Sequence, residues 1–236
     1  MSKPFAVFDI DGTIFRSSLL IEVVEAMIAA GVLPESVEDE ILQAQENWRN
    51  RNHINAYVDY LEKVIVAFED NIAGVSVDKF NQISEQIINS KSLHTYVFTR
   101  NLIKQLSDSH VLFAISGSPE PLVQRFAEKY GFLDFVGSEY YSENGLFTGQ
   151  ASLASEKKEI ILDRLVKKHE LEYAGSIAVG DTRGDIGLLG AVENPIAFNP
   201  DESLRAAAQD NGWKIVIERK SQIYTLENNG GKYELA

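Results

Sequence analysis

Phe5-Ala-Val-Phe-Asp-Ile-Asp-Gly-Thr13 is the stretch on which the fold turns. Its apolar run, Phe5 to Phe8, stops at acidic residues and a glycine, the pattern of a short buried strand that ends in a loop. A strand over about Pro4 to Phe8 delivers Asp9 and Asp11 just past its carboxyl end, the edge at which open α/β sheets bind ligands. Alternate residues of an extended chain share a face, so Asp9 and Asp11 reach one pocket if the extension persists. Carboxylates that close repel each other unless a cation or a shared proton compensates, and Mg²⁺, which takes hard oxygen ligands, is a suitable cation. Loop-capping carboxylates with no ion are the other reading, and spacing alone leaves both open. A calcium loop begun at Asp9 is excluded, because its sixth position is Ile14 rather than glycine and its twelfth is Leu20 rather than an acid.

Downstream of this motif the pattern changes to helical spacing. Leu19, Leu20, Val23, Val24, Met27 and Ile28 mark one helix ending at Gly31, and Pro34 opens a second that carries Ile41 and Leu42. Tyr57, Leu61, Val64, Ile65 and Phe68 mark a third, closed by Gly74. Phe80, Ile83, Ile87 and Ile88 mark a fourth, with Ser76 as its N-cap. Residues 17–92 therefore read as a helical insertion placed after the first strand, leaving residues 1–16 and 93–236 for the core.

The rest alternates. A helix is expected over about Leu93–Leu106, a strand over Val111–Ile115, a helix over Pro121–Lys129 and a short strand near Phe135. Asn144-Gly145 signals a hairpin turn. A helix follows over about Glu156–His169 with Ile160, Ile161, Leu165 and Val166 facing inward, then a strand over Ser176–Val179. Strands at Ile196–Phe198 and Trp213–Ile217 flank a helix over Glu202–Gln209, and the polar tail after Arg219 reads as a weak hairpin or a loose surface segment. Strand-then-helix units imply an α/β fold, a Rossmann-like three-layer α/β/α core with a mostly parallel sheet and right-handed crossovers.

Three further segments sit at expected strand ends. Ser116-Gly117-Ser118 offers a hydroxyl and main-chain N–H groups of the kind that hold phosphate oxygens, though Ser-Gly is also ordinary turn chemistry. Ser116 is a poor nucleophile candidate: no Gly-x-Ser-x-Gly elbow surrounds it, and His53, His94, His110 and His169 show no strand-end placement. Lys157 and Lys158 open a helix, where cations gain nothing from the helix dipole unless an anion or carboxylate contacts them. Gly180-Asp181-Thr-Arg-Gly-Asp185 places two acids four apart, suited to one cation or to an N-cap followed by a helix.

Composition narrows the classes. The 236 residues are 44% hydrophobic and 24% charged, a globular mixture. A net charge of −13 argues against a broad nucleic-acid surface. The absence of cysteine excludes disulfides, thiolate catalysis and thiolate metal sites. No apolar stretch approaches the ~20 residues of a membrane helix, and the run at Phe5–Phe8 is too short for a signal-peptide core. A cytoplasmic protein with no membrane insertion is expected, and oligomeric state stays open.

Taken in order, Asp9-x-Asp11-Gly-Thr, Ser116-Gly117, Lys158 and Gly180-Asp181-x-x-x-Asp185 resemble the haloacid dehalogenase-like hydrolase superfamily, in particular the branch containing phosphoserine phosphatase. The resemblance spans Phe5 to about Ile217. It implies Mg²⁺-dependent hydrolysis of a small phosphorylated metabolite, with Asp9 as the nucleophile that becomes an aspartyl phosphate and Asp11 as general acid and base. It further implies that Ser116, Gly117 and Lys158 hold the phosphate. Asp181, the Asp9 carboxylate and the Asp11 carbonyl would ligate the metal, with Asp185 supporting them. Lys158 fits better than Lys157 because Leu162 and Leu165 follow it at the family's spacing. The chain departs from phosphoserine phosphatases at Ser18, where they carry a glutamate that reads the ammonium group, at Gly12, where serine is common, and at Gly184, where asparagine is common. Glu22 and Glu25 are the nearest substitutes for the missing glutamate, and Arg16, Trp48, Arg49, Arg51 and Tyr57 are the candidate specificity residues of the cap. Phosphoserine hydrolysis, phosphoryl transfer to an alcohol and non-catalytic phosphate binding are the alternatives.

Overall fold

The computed structural model describes residues 3–236; Met1 and Ser2, which begin the expected core segment, lie outside the described residues. β1 (Phe5–Phe8) and β2 (Val111–Pro119) pair in parallel at the centre of the sheet. β3 (Asp134–Glu143) and β4 (Leu146–Ser152) extend it on the β2 side. β5 (Ile177–Gly180), β6 (Asn194–Phe198) and β7 (Lys214–Arg219) extend it on the other, followed by β8 (Gln222–Asn229) and β9 (Lys232–Leu235). From β3 to β7 neighbouring strands are parallel, while β4, β8 and β9 join antiparallel at the edges.

Every residue of β1 is buried, as a strand covered on both faces requires. Phe5 and Val7 pack on one side and Ala6 and Phe8 on the other. The Phe5 side is covered by α7 (Lys158–Lys168), α8 (Ile186–Gly190) and α9 (Glu202–Asn211). The Phe8 side is covered by α5 (Val97–Leu106) and α6 (Glu120–Tyr130). Between β1 and α5 lies the helical insertion, comprising α1 (Leu19–Ala29), α2 (Glu35–Arg49), α3 (Ala56–Asn71) and α4 (Val77–Lys91). Its buried residues Met27, Tyr60 and Phe68 belong to the same apolar cluster as Phe8, Phe126 and Phe198.

Several local expectations shift. α5 begins at Val97 rather than near Leu93, because residues 94–96 return from the insertion in extended form: Arg16 N–H donates to the His94 carbonyl at 2.8 Å and Tyr96 N–H to that of Ile14 at 2.9 Å. β2 continues through Ser116-Gly117-Ser118 to Pro119, past the point where a strand-to-helix junction is expected, with a register break against β3 between Ile115 and Pro119. Ile160 is 56% exposed, so the inner face of α7 is made instead by Ile161, Leu162, Leu165 and Val166. Of the two readings of the tail after Arg219 the hairpin is the one found: β8 and β9 pair antiparallel at the edge of the sheet with Gly230-Gly231 at their turn.

Candidate active site

The carboxyl ends of β1, β2 and β5 and the first turn of α7 converge. Asp9 follows β1 directly, and its N–H donates to the Val179 carbonyl of β5 at 2.9 Å, so sheet pairing fixes its main chain. Its side chain is buried. Lys158 Nζ donates to Asp9 Oδ1 at 2.6 Å and to Asp185 Oδ1 at 2.6 Å. Asp9 Oδ2 is buried with no hydrogen-bond partner. Lys157, one residue earlier, is exposed at the start of α7.

Asp11 is turned elsewhere. Its Oδ1 accepts from the Leu19 N–H at the start of α1 (2.5 Å), and its Oδ2 accepts from Ser116 Oγ (2.6 Å). Ser116 is fully buried, and its Oγ also accepts from Ser118 N–H at 3.0 Å. The Gly117 carbonyl accepts from Ser138 Oγ at 2.7 Å, which ties the end of β2 to β3.

Asp181 lies opposite Asp9. Its Oδ1 accepts from Thr13 Oγ1 at 3.1 Å. Gly12 has φ +79°, and a Cβ there would stand 2.0 Å from Asp181 Oδ2, so the position needs glycine both for its backbone and for the close approach. Asp185 is fully buried; besides Lys158 it accepts from Asp181 N–H and Thr182 N–H, both at 3.1 Å. It thus spends both oxygens on holding Lys158 and the 180–182 loop.

Carboxylate oxygens of Asp9, Asp181 and Asp185 all lie within 4.8 Å of one another. Burial pushes the Asp9 carboxyl up to about 7, against the pull of Lys158, with Asp185 and Asp11 adding to the rise. Burial, then Asp9 and Asp185, hold the Asp181 carboxyl well above the usual carboxylate range. Burial works against the Lys158 charge, but Asp185 and Asp9 outweigh it and hold the ammonium above the ordinary lysine range. Three carboxylates thus share one cation, and one buried acceptor has no donor. A hard divalent ion satisfies both conditions, so the donor set fits Mg²⁺.

The insertion also contributes. Burial, then the charges of Asp181 and Asp11, push the Tyr57 phenol up. Trp48 supports it, 5.3 Å from Tyr57 and stacked on Tyr60 at 5.4 Å. The Arg16 guanidinium covers the Tyr96 ring at 5.3 Å, whereas Arg49 and Arg51 are exposed surface residues. Glu22 pairs with Lys91, and Glu25 Oε1 accepts from Gln45 Nε2 at 2.7 Å and Tyr60 OH at 3.0 Å, so both substitutes for the missing glutamate are already engaged. Sequence reasoning missed Thr13 and the Leu19 N–H. The threonine was visible in the motif, but its partner lies 168 residues away.

The chain is similar to known proteins. The family model for haloacid dehalogenase-like hydrolases matches residues 6–190. A phosphoserine phosphatase of Mycobacterium tuberculosis is 24% identical over 216 residues, covering 89% of this chain and 69% of its own length. A crystal structure of a protein of unknown function from Bordetella pertussis superposes with a TM-score of 0.72 at 18% identity, covering 92% of this chain and 99% of that one. The apo form of a phosphoserine phosphatase superposes with a TM-score of 0.63 at 20% identity, covering 92% and 94%.

Proposed function

The chain belongs to the haloacid dehalogenase-like hydrolase family, in its phosphoserine phosphatase-like branch, and from that premise we propose that it hydrolyses a small organic phosphomonoester through a covalent intermediate on Asp9. The observation that carries this reading is the setting of Asp9: its buried carboxylate is held by Lys158 through Oδ1 and shares one cation-sized cluster with Asp181 and Asp185.

A carboxylate oxygen of Asp9 attacks phosphorus in line with the ester oxygen, forming the acyl phosphate as the phosphorus–ester bond breaks. Asp11 gives its proton to the departing alkoxide, then takes one from the water that attacks the same phosphorus, freeing Asp9 and inorganic phosphate. Ser116 Oγ, the neighbouring N–H groups and Lys158 bind the equatorial oxygens, and Lys158 also keeps Asp9 oriented. Asp9, Asp181 and the Asp11 carbonyl would hold Mg²⁺, with Asp185 behind them. When bound, Mg²⁺ offsets the charge that otherwise keeps an anionic nucleophile from an anionic ester. With Ser18 at the ammonium-reading position and Glu22 and Glu25 engaged, the substrate is read as a phosphomonoester in general rather than as phosphoserine.

The test is a phosphomonoester panel assayed with and without Mg²⁺. Turnover should require the metal and vanish in Asp9→Asn, and Asp11→Asn should cost on the order of 10²–10⁴ in rate. Near-wild-type turnover by the Asp9→Asn protein refutes the nucleophile.

A further inference from the structure

Asp181 stands just past the end of β5, ahead of the single turn Arg183–Asp185. Three successive N–H groups project from this segment, and each donates to a carboxylate. Those of Asp181 and Thr182 go to Asp185 Oδ2 at 3.1 Å, and that of Arg183 goes to Asp201 Oδ2 at 2.8 Å. The Asp181 carbonyl accepts from the Asp201 N–H at 2.8 Å. Asp201 therefore grips the segment twice, once through its main chain and once through its side chain.

The support behind Asp201 is rigid. Its Oδ1 accepts from the Leu204 N–H at 2.7 Å, which makes it the N-cap of α9, and Leu204 is fully buried. Two residues earlier, Asn199 N–H donates to the Val216 carbonyl at 2.8 Å and Asn199 Oδ1 accepts from Glu218 N–H at 2.8 Å, so β7 holds the approach to α9. An N-cap needs only one side-chain oxygen. The second oxygen of Asp201 is spent on the loop that carries Asp181. Asp201 does not belong to the cluster of Asp9, Asp181 and Asp185, so it stands behind the ligands and is not one of them.

Asp9 and Asp181 repel each other when both are ionised, and a loop held only by its own turn would yield to that repulsion. Mg²⁺ demands near-ideal octahedral geometry, so a ligand that drifts costs affinity. We propose that Asp201 is a positioning residue of the metal site, whose Oδ2, bonded to the Arg183 N–H, keeps Asp181 within reach of a cation shared with Asp9. The inference rests on the reading of these carboxylates as an Mg²⁺ site, and not on the identity of the substrate.

The test separates the cap from the loop tie. Mg²⁺ is titrated calorimetrically into the metal-free full chain, and thermal melts in a chelating buffer report stability. Asp201→Ala removes both oxygens; it should lower the melting temperature and weaken Mg²⁺ roughly tenfold. Asp201→Ser leaves one hydroxyl, enough to cap α9, and no second oxygen for Arg183. It should recover most of the melting temperature while keeping the roughly tenfold loss of Mg²⁺ affinity, and turnover should need correspondingly more Mg²⁺. Ser76→Ala, which removes the cap of α4 in the insertion, should lower the melting temperature and leave Mg²⁺ affinity unchanged. Where serine caps α9 poorly, the contrast between Asp201→Ala and Ser76→Ala decides alone. Wild-type Mg²⁺ affinity in Asp201→Ser, an equal loss of affinity in Ser76→Ala, or no Mg²⁺ binding by the wild-type chain would each overturn the proposal. A wild-type chain that binds Mg²⁺ yet turns over no phosphomonoester refutes the hydrolytic reading and leaves this one intact.

Discussion

Asp9 sits among more negative charge than Lys158 neutralises, and that imbalance has a measurable consequence for stability. Its carboxyl, raised from 3.8 to about 7, binds a proton more tightly in the folded chain than in the unfolded one. The resulting stabilisation is fully present below about pH 4 and is lost as pH rises through about 7. Other groups titrate over the same range, so the informative quantity is the difference between wild type and Asp9→Asn, which cannot ionise. In metal-free protein, wild type should lose ground to the variant between pH 5 and pH 8, by ~1–3 kcal/mol. Thermal melts in a chelating buffer at both pH values check this, and a pH-independent difference would mean that Asp9 is ionised throughout. Excess Mg²⁺ at pH 8 should shrink the wild-type deficit, since a divalent ion favours the ionised carboxylate. At this scale the sequence was informative wherever chemistry is carried by neighbours in the chain. The choice of Lys158 over Lys157 rested on the family resemblance, whose spacing Leu162 and Leu165 match; both are buried, and Lys158 is the one that contacts Asp9. The turn of the Asp11 carboxylate toward α1, and the engagement of both Asp185 oxygens by Lys158 and the 180–182 loop, depend on where distant segments dock and leave no local trace.

The β3–β4 hairpin shows how an element acquires a role beyond its own strands. Asn144 and Gly145 both have positive φ, 53° and 80°, the turn geometry that the Asn-Gly pair signals in sequence. What sequence does not signal is that the tip reaches the α3–α4 loop. Gly74 N–H donates to the Phe147 carbonyl at 2.8 Å, Phe147 N–H to that of Val75 at 3.0 Å, and Val77 N–H to that of Gly145 at 3.0 Å. Phe147 is buried edge-on against Phe80 and anchors this clasp. Phe147→Ala should therefore destabilise the chain by about 3 kcal/mol and speed amide exchange at residues 74–77 relative to β1. Unchanged exchange at 74–77 would show that the clasp does not depend on the ring. The helices of the insertion were legible because their apolar spacing is strong and Ser76 caps α4, its Oγ accepting from Lys79 N–H at 3.4 Å. The edge strands β8 and β9 were legible only as one of two readings, a hairpin or a loose segment, because both faces are largely exposed and the alternation that marks a strand is weak there.

Over the whole molecule, the question is whether insertion and core are two cooperative units or one. The sequence reading divides them at residues 17–92, and the connections at both ends are visible in the structure: Phe15 bridges Thr95, and the flanking main-chain bonds hold the outgoing and returning segments side by side. Packing argues against independence. Met27, Tyr60, Val64 and Phe68 share an apolar cluster with Phe8, Phe126 and Phe198, so the insertion has no separate core to keep it folded once the sheet opens. The sequence contains two tryptophans, one on each side of the boundary: Trp48 stacks on the buried Tyr60 of the insertion, and Trp213 packs with the Phe5-side layer of the core. Trp213→Phe and Trp48→Phe proteins thus each carry one local reporter. Urea unfolding followed by fluorescence should give each protein the same midpoint as its own far-ultraviolet dichroism, the signature of a single cooperative transition. If the Trp48 signal is lost at clearly lower urea than the dichroism while the Trp213 signal tracks it, the insertion unfolds by itself. The shared cluster would then be a surface contact between two units instead of a common core.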